Sequence, residues 1–423
     1  MNKIAGSKQL AVGSHQMAVN SCSSAIKEVI VGSIWPKVFL CFLFFSAVFS
    51  ASAQVLTLQD AQAKAEQNSA QVQAALLGVD ASKSLEKTAF NLYQPQLQVQ
   101  APTGNFHTLG VQQNFDFPTV YGARKKLLQS QSGVAEASAT LTKAEVKFMI
   151  ADLYLQWQTA EAKLKFYTDQ QTNFNAVAQA AVRSFEAGEI DLLEKSFAEL
   201  KAQEAGRQLQ LISAERNAAK QSLLSYIAAD TNATCDSLNT NLQLSAWSST
   251  ALNSSLLGVA QAEVTVSEQQ LKLQKQQNLP GFFVGYMNQG ERNSPVENRF
   301  NAGISIPLWF WHTGASTKAA KFNMEQKQKE LLALQQQVNQ LYNSALATHD
   351  AAVQSLSTMQ STSLPAARTL AKNAKRMYDA GETSLTEYLR LSSEANQTEL
   401  AYIELMQQLI QSQNQLQFLT SAK

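Results

Sequence analysis

A ten-residue phrase occurs twice in this chain. Arg183-Ser184-Phe185-Glu186-Ala187-Gly188-Glu189-Ile190-Asp191-Leu192 returns, 193 positions later, as Arg376-Met377-Tyr378-Asp379-Ala380-Gly381-Glu382-Thr383-Ser384-Leu385. Two copies at so long a spacing exclude a short-repeat solenoid and require two large, equivalent halves. Each copy interrupts a long stretch nearly free of Pro and Gly. Gly188 and Gly381 therefore read as left-handed residues that end one helix and let the next begin, so each half contains a helical hairpin.

The prolines place the remaining architecture. Six of them fall in two clusters, Pro95, Pro102 and Pro118, then Pro280, Pro295 and Pro307, and only there does the apolar pattern alternate with a period of two. Leu97, Val99 and Ala101 alternate with Gln96, Gln98 and Gln100, and Leu109, Val111, Phe115 and Phe117 extend the apolar face less cleanly. In the second half Phe282, Val284 and Tyr286 alternate with Gly281, Phe283 and Gly285, and Phe300, Ala302, Ile304 and Ile306 alternate with Asn301, Gly303 and Ser305. This predicts two strands per half with one apolar and one wet face, the pattern of a membrane β-barrel whose lumen holds water. A soluble α/β protein with two buried hairpins is the competing reading, and a ladder of glutamines fits a buried strand poorly. Four strands cannot close a barrel, and lipid does not tolerate open sheet edges, so the missing strands must come from further copies of the chain. Tyr121, Trp309, Phe310 and Trp311 flank the strands and are expected to form an aromatic girdle at the membrane interface.

Between the strands and the tips run the stretches from about Thr119 to Phe185 and from about Thr313 to Tyr378, the second interrupted by Pro365 alone. As helices they would each be roughly 100 Å long, which demands an elongated bundle or coiled coil. Pro365 is expected to kink the second of them. Shorter helices should precede the strands, from Leu56 to about Leu92 and from Thr250 to about Gln277. Return helices should follow the tips, from Asp191 to about Ala229 and from Ser384 to about Phe418. Leu153-Tyr154 and Leu341-Tyr342 hold equivalent positions and read as core knobs.

The apolar run Val38 to Ser50, preceded by Lys27 and Lys37 and followed by Ala51-Ser52-Ala53, predicts a secretory signal peptide over residues 1–53, with an uncleaved anchor as the alternative. The domain plan is then a first repeat over 54–229, a polar linker over 230–248 and a second repeat over 249–423. Removing the leader takes four lysines and one glutamate from totals of 34 basic and 33 acidic residues, which leaves a nearly neutral chain without the basic face a nucleic-acid partner needs. Only Cys235 survives processing, so no intramolecular disulfide is possible. The four histidines are scattered, and there is no phosphate-binding loop, nucleophile elbow or metal-ligand spacing. We therefore expect no catalytic, cofactor or metal site, and a conduit or scaffold instead of an enzyme.

The order of elements, helix, β-hairpin, very long helix, Phe/Tyr-x-x-Gly tip and return helix, stated twice, resembles the TolC-type outer-membrane efflux family. The motifs that carry the resemblance are Phe185-Glu186-Ala187-Gly188, Tyr378-Asp379-Ala380-Gly381, the Phe117-Pro118 and Ile306-Pro307-Leu308 exits from strand to helix, and Leu364-Pro365. It covers nearly the whole mature chain. It implies a mainly α fold with a small β part: duplicated long helical hairpins and four transmembrane strands, joined as a homotrimeric α/β barrel in the outer membrane of a Gram-negative bacterium with a periplasmic extension. It implies a passive conduit whose tips, at Phe185, Gly188, Glu189, Leu192, Tyr378, Gly381, Glu382 and Leu385, meet a periplasmic adaptor of a tripartite pump that includes an inner-membrane component. Family members often carry acidic rings beyond the second tip. Here Glu387 stands there, with Arg390 where a second acid is expected, and the pair either lines a threefold constriction or faces solvent outside it. A periplasmic coiled-coil scaffold or adaptor is the alternative, although the Gly-rich turns of lipoyl-like domains are missing.

Overall fold

The structure, a computed structural model, describes residues 55–100, 108–228, 232–238, 254–288, 295, 299–306 and 310–420. The expected leader over 1–53 lies outside these residues, as do Ala101, Pro102, Pro307, Leu308, Trp309 and most of the expected linker over 230–248.

The chain opens with β1 (Val55–Leu56), α1 (Leu58–Asn68) and α2 (Ala70–Glu86), the last continued by a 3-10 turn over Lys87–Phe90. A single helix was expected here. It is split at Ser69, which closes α1 through its backbone N–H to Ala65 and opens α2 by accepting from the Val72 N–H. A short hydroxyl side chain in extended conformation suits that double role better than a helix interior. Strands β2 (Gln96–Gln100) and β3 (Thr108–Phe115) follow, then α3 (Pro118–Glu186), whose 69 residues span about 100 Å. Pro118 stands in its first turn, where the missing N–H costs nothing. Helix α4 (Leu192–Ile227) returns, and the second half repeats the plan: α5 (Ser255–Gln277), β5 (Gly281–Asn288), β6 (Phe300–Ser305), α6 (Phe310–Thr358), α7 (Leu364–Asp379) and α8 (Leu385–Thr420).

Between α6 and α7 the helix does not stop at Pro365. It widens into a π-helical turn over Met359–Ser363, in which the Leu364 N–H reaches back to the Met359 carbonyl. Proline has no N–H and its ring crowds the carbonyl four residues earlier; inserting one residue per turn relieves both problems within a continuous helix.

The expected linker contains an element that composition did not reveal. Thr234–Cys235 forms β4, paired in parallel with β1. Tyr154, deep in α3, fastens this pair: its buried hydroxyl donates to the Leu56 carbonyl at 2.7 Å and accepts from the Asp236 N–H at 3.1 Å. Burial pushes that phenol up to about 12. Around it lies a core of Leu56, Ala61, Val146, Ile150, Trp157, Leu223 and Ile227. In the second half Tyr342 takes the matching place beside Val338, Ala345, Leu416 and Leu419, but its hydroxyl has no hydrogen-bond partner among the described residues. Both tyrosines are core residues as expected, whereas Leu341 is exposed.

The four long strands form one antiparallel sheet in the order β2-β3-β5-β6, which leaves β2 and β6 as edges unpaired among the described residues. Its register aligns the alternations of all four strands. Leu97 faces Val111, Val111 faces Tyr286 and Tyr286 faces Phe300, an apolar row across the whole sheet. Leu97, Val99, Leu109, Val111, Val284, Tyr286, Phe300 and Ile304 on that face are all exposed. Gln113 breaks it near the helical end, where its amide donates to the Tyr93 carbonyl.

Candidate functional site

Each tip is built from local hydrogen bonds that the repeated phrase encodes. At the first, the Glu189 N–H reaches the Ser184 carbonyl at 2.8 Å and the Gly188 N–H reaches Phe185 at 3.0 Å; at the second, Glu382 reaches Met377 at 2.8 Å and Gly381 reaches Tyr378 at 2.9 Å. This is the six-to-one and five-to-two pattern of a Schellman C-cap, which needs a left-handed residue at its centre. Gly188 and Gly381 supply it with φ of 75° and 76°. The return helices start alike: the Asp191 carboxylate accepts from the Glu194 N–H at 2.8 Å, and the Ser384 hydroxyl accepts from the Glu387 N–H at 3.2 Å. Glu387 thus occupies the third helical position after its N-cap, where a carboxylate also meets the positive end of the helix.

The backbones match, but the side chains do not share one environment. Leu192 and Leu193 are 61% and 75% exposed, whereas Leu385, the equivalent of Leu192, is 1% exposed. Leu385 was expected to be a tip contact, and the structure instead packs it with Tyr388 and Leu389 against Phe174, Ala181, Ala198 and Ala205 of the first hairpin. The reason is tertiary: Leu385 at the start of α8 is packed against the first hairpin, whereas Leu192 and Leu193 at the start of α4 point away from that cluster and stay exposed. Phe185 is half-buried beneath the Lys195 ammonium, 5.1 Å from its ring centre. Tyr378 stacks on Tyr388 at 5.2 Å, and burial raises its phenol. Glu189 and Glu382 are exposed beside their glycines.

Glu387 and Arg390 form a bidentate pair, with Arg390 Nε 2.9 Å from one carboxylate oxygen and Nη2 2.7 Å from the other. The hydrogen bond from Arg390 holds the Glu387 carboxyl below its ordinary value. The Arg390 side chain is largely exposed in the protomer and that of Glu387 is half-exposed.

Of the expected girdle, Trp311 is exposed and stands at the start of α6. Phe310 begins that helix, and its side chain, like all of Trp309, lies outside the described residues. Tyr121 does not belong to a girdle in the protomer. It is buried under Phe90, with ring centres 6.3 Å apart, and its hydroxyl accepts from the Asp116 N–H at 3.0 Å. Arg124 lies over the same ring and pairs with Asp116 at 3.0 Å. A polar knot at the strand-to-helix corner has drawn the ring inwards. The combination Asp116, Tyr121 and Arg124, spaced by five and eight residues, was the available signal for it.

Opposite the apolar face, the sheet presents Gln96, Gln98, Gln100, Gln112, Asn114, Asn301 and Ser305, with Gln98 donating to Gln112 at 3.3 Å and Gln112 to Asn114 at 2.9 Å. Among the described residues no group of His, Cys, Asp and Glu could hold a metal, and no helix is long and apolar enough to cross a membrane.

A profile of the outer membrane efflux protein family matches residues 247–422. No curated protein matches the chain. Among solved structures it is similar to the CmeC outer membrane channel of Campylobacter jejuni, with a TM-score of 0.72 at 14% identity over 86% of this chain and 85% of that one. It is also similar to CusC, with a TM-score of 0.74 at 15% identity over 86% and 92% of the two chains. The outer membrane protein VceC of Vibrio cholerae gives 0.71 at 15% identity over 86% and 96%. Residues 247–422 thus match the outer membrane efflux protein family, and along its described length the chain has the fold of these outer-membrane channels.

Proposed function

We propose that three copies of this chain close a twelve-stranded barrel through the outer membrane and a helical tunnel beneath it, as the passive exit conduit of a tripartite pump. The observation that carries this reading is the four-stranded sheet, with an apolar face left exposed and both edges, β2 and β6, unpaired. In lipid every unpaired backbone group is costly, so edges must meet edges. Twelve strands spaced by about 4.8 Å and tilted by about 40° give a backbone diameter of roughly 24 Å, wide enough for a wet lumen lined by the glutamine face.

The two repeats, 54–229 and 249–423, each contribute one strand pair and one hairpin, joined across the linker. The tips carry the adaptor contacts, led by the exposed Leu192 and Leu193 of the first hairpin with Glu189 and Glu382 beside them. The adaptor in turn joins the conduit to an inner-membrane pump. The Glu387–Arg390 pair lies on the threefold constriction of the closed tunnel, where Arg390 relieves repulsion among three carboxylates.

Mass measurement and cross-linking of the detergent-purified protein test the assembly. A stable, heat-modifiable trimer extracted from outer membranes is expected. A soluble periplasmic monomer would overturn it and favour a coiled-coil scaffold.

A further inference from the structure

On the wet face of the sheet, glycines and bulky side chains are paired across strands. Gly110 faces Met287, Gly285 faces Asn301 and Gly303 faces Phe283. In each pair the larger side chain lies over its glycine. A Cβ on Gly303 would stand 2.5 Å from two ring carbons of Phe283, one on Gly285 would collide with the Asn301 amide, and one on Gly110 would sit 3.3 Å from the Met287 methyl. None of these glycines has a left-handed backbone, so conformational freedom does not account for them. What they share is a vacant half of the cross-strand pair into which the partner folds.

We infer that Gly110, Gly285 and Gly303 set the bore of the barrel, each seating a bulky neighbour flat against the wall so that it does not project into the lumen. Phe283 is the strongest case: it is the one aromatic ring among the described wet-face strand residues, and a ring standing upright in a threefold pore would be met by two others. Laid on Gly303, it hides one face from water and leaves the other level with the surrounding amides. With no Asp, Glu, Lys or Arg on the described strands, the resulting wall is smooth and uncharged, so this part of the conduit sorts solutes by size and not by charge. The inference rests on the conduit reading, which supplies the lumen.

The test uses the purified full-length trimer in planar bilayers, sized from the barrel side with neutral polyethylene glycols. Gly303→Ala should shift the largest polymer admitted downwards, because the new methyl lifts the Phe283 ring. Phe283→Ala alone should leave the limit near that of the wild type, since the ring already lies flat, and the double variant should restore it. If Gly303→Ala lowers trimer yield but assembled channels keep the wild-type limit, the glycine serves folding alone and the inference fails. If Gly303→Ala does not assemble, Gly110→Ala beneath Met287 makes the same comparison, and a raised limit in Phe283→Ala would refute the flat ring. A wild-type trimer that forms no pore would instead refute the conduit reading itself.

Discussion

Replacing Tyr154 with Phe should weaken the junction between β1 and β4, while the same change at Tyr342 should be close to silent. The two side chains occupy matching places in the halves and are equally buried, so removing the hydroxyl alters cavity and packing alike. They differ in partners. The Tyr154 hydroxyl holds the Leu56 carbonyl and the Asp236 N–H; the Tyr342 hydroxyl holds nothing among the described residues. Leu56 is buried, so its carbonyl loses a partner that water cannot easily replace, whereas Asp236 is exposed and its N–H can be rehydrated. One net hydrogen bond of about 1 kcal/mol with part of a desolvation penalty of about 1–3 kcal/mol gives a cost of about 2 kcal/mol. For Tyr342→Phe the same reasoning gives zero or a slight gain, because a desolvated hydroxyl without a partner is removed. Hydrogen exchange in assembled trimers reads local opening directly, and about 2 kcal/mol corresponds to a roughly 30-fold loss of protection. That loss should appear in peptides covering Val55–Leu56 and Thr234–Cys235 in Tyr154→Phe, with no comparable change around Tyr342 in its own variant. Equal losses in the two variants would show that ring packing holds the junction and the hydroxyl does not.

The tips and the Glu387–Arg390 pair yield the remaining expectations. A Cβ at Gly188 or Gly381 would meet no neighbouring atom within 4 Å, so the cost of Gly188→Val and Gly381→Val is led by the left-handed backbone, about 1–2 kcal/mol at each tip, read as reduced adaptor capture with trimer yield retained. Leu192→Ser should reduce adaptor pull-down without affecting stability, whereas Leu385→Ala should destabilise the tip by about 2–5 kcal/mol in thermal melts; the reverse ranking would refute the packing asymmetry. Glu387 is held below its ordinary value by Arg390, so the pair is intact at neutral pH and is lost as pH falls through that depressed value. Arg390→Ala should therefore move the acid-induced change in bilayer conductance to higher pH and favour cations, and Glu387→Gln should abolish that change; unaltered recordings in both would place the pair on the outer surface.

Features that depend on a few adjacent residues were legible in the chain itself. The left-handed turns at Gly188 and Gly381, the N-caps at Asp191 and Ser384, the start of α3 at Pro118 and the alternation of all four strands follow from local sterics and hydrogen bonding. Repetition of the ten-residue phrase then dictated a duplicated helical protein before any contact was known. Tertiary packing decided what local rules leave equal. Leu192 and Leu385 follow the same Gly-Glu-x-x step, yet one faces solvent and the other is core, because the packing between the two hairpins takes in Leu385 and leaves Leu192 outside. Tyr121 reads as an interfacial ring and is instead drawn under Phe90 by the Asp116–Arg124 pair. The two-residue strand β4 is too short to carry a period, and what holds it is its pairing with β1 and the Asp236 N–H just beyond it, which donates to the Tyr154 hydroxyl 82 positions away. The seating of Phe283 on Gly303 depends on register: alternation puts both on one face, but only the pairing of β5 with β6 places them opposite each other.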